Sequence, residues 1–516
     1  MTSRSHLPGR AKLAKNVFAN WTGLLAEVGV ALFLTPFIIS TLGTATYGVW
    51  SLANGVIGYL GLIDLGLRAC LGRFVNQHLA RGDDEAVNEV LATSFAFLAG
   101  AAVIVGFVAF FIGLNFSAFF EKTPADLAIQ MRVVLPLLAV GLLFAFLSAI
   151  CRNIVAAFDR FDTLNIIGVL GLIVRAGLVV LALELGGGLV GLVAAAVVSG
   201  AVVCVATYIA ARRIYPSFSF ASKYARMERL REMWRFGAVA FVTRSASEII
   251  YRSDQIILMA FVGPRAVAVY GVAMMLVLYA QRVVEQLAAV LDPSVMKSGG
   301  IGDVPSLQRA FSWYPRAAFF VAIPLYGGLF VFGASFIRLW VGPDFDESTT
   351  VLRILSIAEL LSIAASMGGS VLFSLGRLRF NLLCSISEAL INLGLSLILV
   401  GVLALGTVGA AVGTLVAVIV CRAIVHPLYT TAALGMKYWN YLKESIARGL
   451  YVAIVTLLLF TGLVLGLRPS TWVSLIIAVA LSVVAYLGFG AFGIFGFRDT
   501  GRLINGILPV KWRIYQ

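Results

Sequence analysis

Arg244, Glu248, Arg252 and Gln255 interrupt a stretch of this 516-residue chain that otherwise reads as membrane-buried. Polar groups at that depth are costly unless they are paired, hydrated or kept for a task. At about 100° per residue the four fall within about 80° of one another on one helix face. Glu248 lies four residues from each arginine and can pair with both, whereas Asp254 projects from a different side. One acid between two bases leaves a net positive stripe. Guanidinium forks grip phosphate oxygens bidentately and stay charged where water is scarce, so the stripe suits capture of an anionic, phosphate-bearing ligand. The same residues could also satisfy one another as a lock between helices, or Arg252 could snorkel to an interface.

Three further stripes carry the same ambiguity. Tyr279, Arg282, Glu285 and Gln286 share a face within about 60°, and Arg282 and Glu285 can either act on a ligand or neutralise each other. Asn16, Asn20 and Glu27 line one face of the first apolar segment. Glu27 has no basic partner within its helix, which makes it a candidate H+ or Na+ carrier or a protonated, hydrogen-bonded packing residue. Asn381, Ser385, Glu388, Asn392 and Ser396 fall within about 80°; they suit either the wall of a hydrated cavity or a hydrogen-bonded seam between helices. Asp64, in "GLIDLGL", sits near a span end, where it caps or gates. Glu27, Asp64, Glu285 and Glu388 form the coupling or gating set.

The elements that must position these residues are transmembrane helices. The chain is 60% hydrophobic and only 12% charged, with a mean hydropathy of +0.98, against roughly 25% charged residues in ordinary soluble domains. Apolar runs of about 20 residues, each long enough to cross a bilayer, recur along the whole length, and fourteen spans can be placed. The segment from about residue 17 to 39 is longer than a signal-peptide core and reads as a retained first span. Of the 39 Lys and Arg, 28 fall on the face shared by both termini and six on the other. That bias places both termini in the cytoplasm and explains the net charge of +14 without nucleic acid. The five cysteines have no paired spacing and the three histidines are scattered, so neither a disulfide framework, a metal site nor a cofactor is expected.

A basic stretch at 212–235 divides the chain into an N-terminal lobe (1–211, six spans) and a C-terminal lobe (236–430, six spans). Two extra spans and a tail (431–516) follow. The halves repeat weakly: Tyr47-Gly48 aligns with Tyr270-Gly271 at an offset of 223, Arg160 with Arg377 at 217, and Val190-Gly191 with Val408-Gly409 at 218. Through the repeat, Arg175 aligns with Asn392. Parallel repeats of this kind are common in transporters that move two lobes about a central site. The expected fold is an all-α polytopic membrane protein with two six-helix lobes around a central cavity.

The segments "LGTATYGVWSLANGVIGYLGLIDLGLRACLGRFVNQHLARGDDE", "SDQIILMAFVGPRAVAVYGVA" and "LDPSVM" resemble the multidrug/oligosaccharidyl-lipid/polysaccharide exporter superfamily, in its lipid-linked oligosaccharide flippase branch. The resemblance covers essentially the entire chain. It implies a bacterial inner-membrane protein that moves polyprenyl (undecaprenyl)-pyrophosphate-linked glycan to the outer leaflet by alternating access, with polysaccharide-assembly proteins as partners. Peptidoglycan-precursor flippases of the superfamily carry an arginine beside an acid in the first span; here that span has Glu27 alone. A multidrug/cation antiporter of the same fold is the nearest alternative, but large cations favour an acidic cavity. An outer-leaflet polysaccharide polymerase or ligase is the alternative of another class. Every loop on that face is short, and no G-x-x-x-x-G-K-[ST] phosphate loop is present, so the chain is expected to be no enzyme and to draw on an ion gradient, the membrane potential or the substrate gradient alone.

Overall fold

The structure is a computed structural model that describes residues 10–504, with side chains described from Trp21 to Phe495 except at 239–240, 289–290 and 492. Asn16 and Asn20 lie outside the described side chains. The described residues form helices and connecting turns, with no strand among them. The order is α1 (Arg10–Leu42), α2 (Thr44–Leu60), α3 (Leu67–Leu79), α4 (Asp84–Leu114), α5 (Ala125–Ala157), α6 (Phe161–Glu184), α7 (Gly188–Ile214) and α8 (Met227–Phe261). There follow α9 (Pro264–Gly300), α10 (Val304–Trp340), α11 (Asp346–Ser362), α12 (Gly368–Ser374), α13 (Leu378–Ser396), α14 (Gly406–Val418), α15 (His426–Ala433), α16 (Ala447–Leu467) and α17 (Trp472–Ile504).

Twelve helical segments among the described residues are long and apolar enough to cross a membrane, and the pair Thr44–Asp64 and Leu67–Leu79, bent by 43°, makes a thirteenth. The charge-rich α8 is not among them, yet it runs unbroken through the position of the seventh expected span. In hydrocarbon only internally bonded backbone is tolerated, so the chain is helix wherever it is apolar. Helix starts are capped at the ends: Asp83 accepts from Ala86 N at 3.0 Å and Asp303 from Ser306 N at 3.1 Å.

The chain divides into two compact units. The first runs to Glu248 and takes in Met259–Ala268; the second holds Ile249–Leu258 and the chain from Val269 onward. In the first, α5 packs on α4 and α7, and α6 packs on α7 and α1. The basic stretch after α7 is folded onto this unit. The Asn88 amide donates to Ser217 O and accepts from Ser219 N, each at 2.9 Å. Tyr215 OH donates to Asp84 at 2.6 Å; burial, reinforced by that carboxylate, pushes its phenol above the usual tyrosine range. Phe218 and Met233 enter a core with Leu71, Phe74 and Ile150, where each buried side chain of this size contributes roughly 1.5–3 kcal/mol. In the second unit, α10 packs on α11, α16 and α17, and α14 packs on α11 and α13.

Backbone geometry reproduces the internal repeat. The turn before α6 places Asp159 at φ 57° and Arg160 at φ −88°, ψ 52°. The turn before α13 places Gly376 at φ 73° and Arg377 at φ −89°, ψ 46°, 217 residues later. The turn from α6 to α7 has Gly186 at φ 75° and Gly188 at 55°, matched at an offset of 218 by Ala404 at 51° and Gly406 at 56°. Between the two pairs of turns, Leu397–Val402 winds as a π-helical turn. Such a turn absorbs one extra residue within a helix, which accounts for the change of offset. Accordingly Gly187 N bonds back to Ala182 O, and Leu405 N bonds one residue further back, to Leu399 O.

Between α2 and α3, Leu65 (φ 50°) and Gly66 (φ 77°) turn the chain through the left-handed region. A Cβ on Gly66 would lie 2.3 Å from Gly237 O of α8. Gly66→Ala therefore combines a left-handed penalty of about 1–2 kcal/mol with a backbone clash. Gly82, also left-handed at φ 68° but facing open space, carries the first cost alone. Thermal unfolding of the detergent-purified variants should show Gly66→Ala clearly less stable than Gly82→Ala; equal midpoints would mean that the close approach at Gly237 contributes nothing.

Candidate functional site

In the first unit α5, α6 and α7 line an open cavity of about 690 Å³. Small residues make it: a Cβ on Gly168 or Gly200 would meet nothing within 4 Å. Its wall carries Arg152 and Asn153 from α5, Asn165 and Arg175 from α6, and Ser199 from α7. None of the described residues lining it is acidic. Asn153 Nδ2 is bonded to Ala149 O at 2.8 Å, but Asn165 Nδ2 is shielded from solvent and meets no acceptor among the described residues. Two guanidiniums and an amide donor with no acceptor among the described residues give this wall a positive, donor-rich character.

Buried polar groups also meet among the described residues of the second unit. Asp254, fully buried, accepts from Tyr270 OH at 2.6 Å, Ser396 Oγ at 2.7 Å and Thr414 Oγ1 at 3.0 Å. Asn392 extends the network, donating to Thr414 Oγ1 at 2.9 Å and accepting from Ser253 Oγ at 3.4 Å. Gly413 permits the approach, since a Cβ there would lie 2.8 Å from Ser396 Oγ. The carboxylate thus ties α8, α9, α13 and α14 together. Nearby in sequence, Arg422 stands in the π-helical turn Ile419–Val425 and pairs with the buried Glu388 of α13 at 2.9 Å. Glu359 of α11, also buried, accepts from Ser362 Oγ at 3.3 Å.

The stripes singled out in the sequence fall in different surroundings. On α8, Arg244 is exposed and Glu248, Arg252 and Gln255 are half-buried, while Ser253 and Asp254 between them are packed. On α9, Arg282 lies over the Tyr279 ring with 5.6 Å to its centre. Glu285 accepts from Gln281 at 2.9 Å, and Gln281 also donates to Tyr251 OH at 3.0 Å. Glu27 is half-buried on α1. Asp64 is buried, pairs with Arg68 and accepts from Gly66 N at 3.0 Å. Glu388 and Asn392 are tied to Arg422 and Thr414, whereas Arg175 opens on the first unit's cavity. Arg152, Asn165, Asp254, Glu359 and Arg422 were missed. The Arg152–Asn153 pair and Asn165, flanking one short turn, were a legible signal; Asp254 projects from a different side than the stripe, and spacing along its own helix did not mark it.

Asp254→Ala removes the acceptor of three hydroxyls, of which Thr414 retains another in Ala410 O at 3.3 Å, and should cost on the order of 2–6 kcal/mol at about 1–3 for each of the other two donors. Asp254→Asn keeps an acceptor oxygen and should cost about 1–3 kcal/mol. Thermal midpoints of the purified variants measure the difference; a wild-type midpoint for Asp254→Ala would remove the network as a tie between helices.

The polysaccharide biosynthesis protein family matches residues 13–297, more than half of the chain. The Bacillus subtilis (strain 168) membrane protein EpsK, itself uncharacterized, is 24% identical over 473 residues, covering 90% of this chain and 92% of its own. A Shigella flexneri protein provisionally named an O-antigen transporter is 21% identical over 423 residues, covering 81% and 98%. In fold, the chain is similar to an inward-facing multidrug resistance MATE family transporter of the MOP superfamily. That likeness has a TM-score of 0.68 and 16% identity, covering 82% of this chain and 96% of the other. It is also similar to the lipid II flippase MurJ in an inward closed conformation, with a TM-score of 0.61 and 15% identity, covering 93% and 98%. Relatives whose names state an activity are transporters and flippases rather than enzymes. This multi-pass membrane chain belongs to the polysaccharide biosynthesis protein family.

Proposed function

We propose that the protein is a flippase that moves a polyprenyl-pyrophosphate-linked oligosaccharide across the bacterial inner membrane for cell-surface polysaccharide synthesis. One observation carries the reading: a cavity of about 690 Å³, walled by the apolar helices α5, α6 and α7, that Arg152 and Arg175 make positive, with no acid among its described lining residues. A pyrophosphate arriving in hydrocarbon needs charge-assisted donors, and the sugars need space with polar walls. The family match and the O-antigen name of the Shigella relative support a saccharide cargo. The cationic wall disfavours a cation antiporter. Both termini belong in the cytoplasm by the distribution of Lys and Arg, and alternating access delivers the head group outward. Arg244, Glu248, Arg252 and Gln255 of α8 and Arg282 of α9 are further candidate contacts for an anionic head group. A H+ or Na+ gradient acting on Glu27 or Glu285 supplies the drive.

Outer-leaflet delivery of labelled lipid-linked saccharide, with membrane abundance measured alongside, tests the proposal. Losing a hydrogen bond to a charged group costs about 1.5–3 kcal/mol, so Arg152→Ala and Arg175→Ala should each lower export at least about tenfold, with Lys restoring part of it. Gly200→Leu fills the cavity without touching charge and should also block export. Normal export by Arg175→Ala and Gly200→Leu at normal abundance would exclude the cavity as the substrate site.

A further inference from the structure

A second cleft in the first unit, of about 640 Å³, opens where α5 ends, α6 begins and α7 ends. Two arginines line it, Arg160 and Arg213, together with Thr163 and an apolar wall of Phe158, Ala206 and Ile209. Its charges are those of one membrane face, the face that carries the basic 212–235 stretch. Arg212, the neighbour of Arg213, is committed to the backbone: it donates to Pro216 O at 3.2 Å and to Phe218 O. Arg160 is partly neutralised by Asp162 at 3.3 Å and reaches Thr163 Oγ1 at 3.4 Å. The exposed Asp159 adjoins it in the turn. Arg213, exposed in the last turn of α7, therefore carries the larger share of the cleft's attraction for an anion.

Below the arginines the surface is apolar and open. Val198, Val202, Val205 and Ile209 are exposed at spacings of four, three and four, one stripe along α7. At ~1.5 Å per residue the stripe runs about 16 Å, roughly the depth of one leaflet of a ~30 Å hydrocarbon core. Ile166, Leu170 and Ile173 make a similar exposed stripe on α6. A cationic cleft at head-group level above tracks one leaflet deep matches a two-chain amphiphile in charge and length.

We infer that this cleft is a binding site for an anionic glycerophospholipid, its phosphate against Arg213 and Arg160 and its acyl chains along α6 and α7. The site is separate from the cavity assigned to the transported saccharide. A free phosphate would use the arginines but not the tracks, and a polyprenyl chain is far longer than one leaflet.

The test is native mass spectrometry of the purified full chain with palmitoyl-oleoyl phosphatidylglycerol or phosphatidylcholine of the same chains. Wild type should retain the phosphatidylglycerol preferentially. A basic side chain near a membrane surface is worth about fivefold in affinity for an acidic lipid, so Arg213→Gln should lower retention about fivefold. Arg81→Gln, the same change at an exposed position outside the cleft, should leave it unchanged, and Ala206→Trp should abolish it by filling the cleft with both arginines intact. Equal retention by Arg213→Gln and wild type would overturn the inference, as would an equal loss in Arg81→Gln. Complete displacement by millimolar inorganic phosphate would show an anion site without lipid recognition. Stronger retention of undecaprenyl phosphate than of phosphatidylglycerol would reassign the cleft to the substrate's carrier.

Discussion

A carboxylate without water must be met by protein donors or it will not stay where it is. Asp254 meets that demand with three hydroxyls, from Tyr270, Ser396 and Thr414, and in doing so fixes the mutual placement of four helices in the second unit. Arg422 and Glu388 answer it as a buried ion pair, and Asp64 answers it in the first unit with Arg68 and the Gly66 amide. These groups are consumed by the architecture. Arg152, Arg175 and Asn165 differ because they line an open cavity, and the Asn165 donor is left unmatched.

The repeat shows how one backbone plan came to hold two kinds of chemistry. The turns before α6 and α13 match within a few degrees at Arg160 and Arg377, so the two helix pairs start from the same geometry. Arg175 and Asn392 occupy equivalent positions, yet Arg175 lines a cavity and Asn392 is locked between Ser253 and Thr414. The π-helical turn Leu397–Val402 absorbs the residue by which the second copy is longer. The first unit kept space and positive charge in this region; the second filled it with hydrogen bonds.

Much of the helical plan was legible in the sequence because span length is set by bilayer thickness and shows as apolar runs. α8 was placed by the same signal as the seventh span, although its charges keep it out of the helices apolar enough to cross a membrane. Periodicity relates residues on one helix only, and this limited the reading of sites. Asp254 finds its partners 16, 142 and 160 residues away, separations on which a helical wheel is silent. For the same reason the stripe through Glu388, Asn392 and Ser396 could not be resolved into cavity wall or seam from its spacing. Arg152 lay at a span end, where positive charge is first read as topology, and its place in the cavity depends on how α5 meets α6 and α7.

On the proposed function, the positive cavity selects its cargo by phosphate rather than by sugar. Reconstitution of the purified protein into liposomes isolates that claim from every other component of the cell. A fluorescent saccharide linked through pyrophosphate to a polyprenyl chain is placed in the membrane, and an impermeant quencher reads its arrival at the outer surface. Protein should accelerate exchange of the pyrophosphate-linked lipid and leave a phosphate-free analogue with the same sugar and chain at the rate of empty liposomes. Equal acceleration of the two lipids would contradict the account.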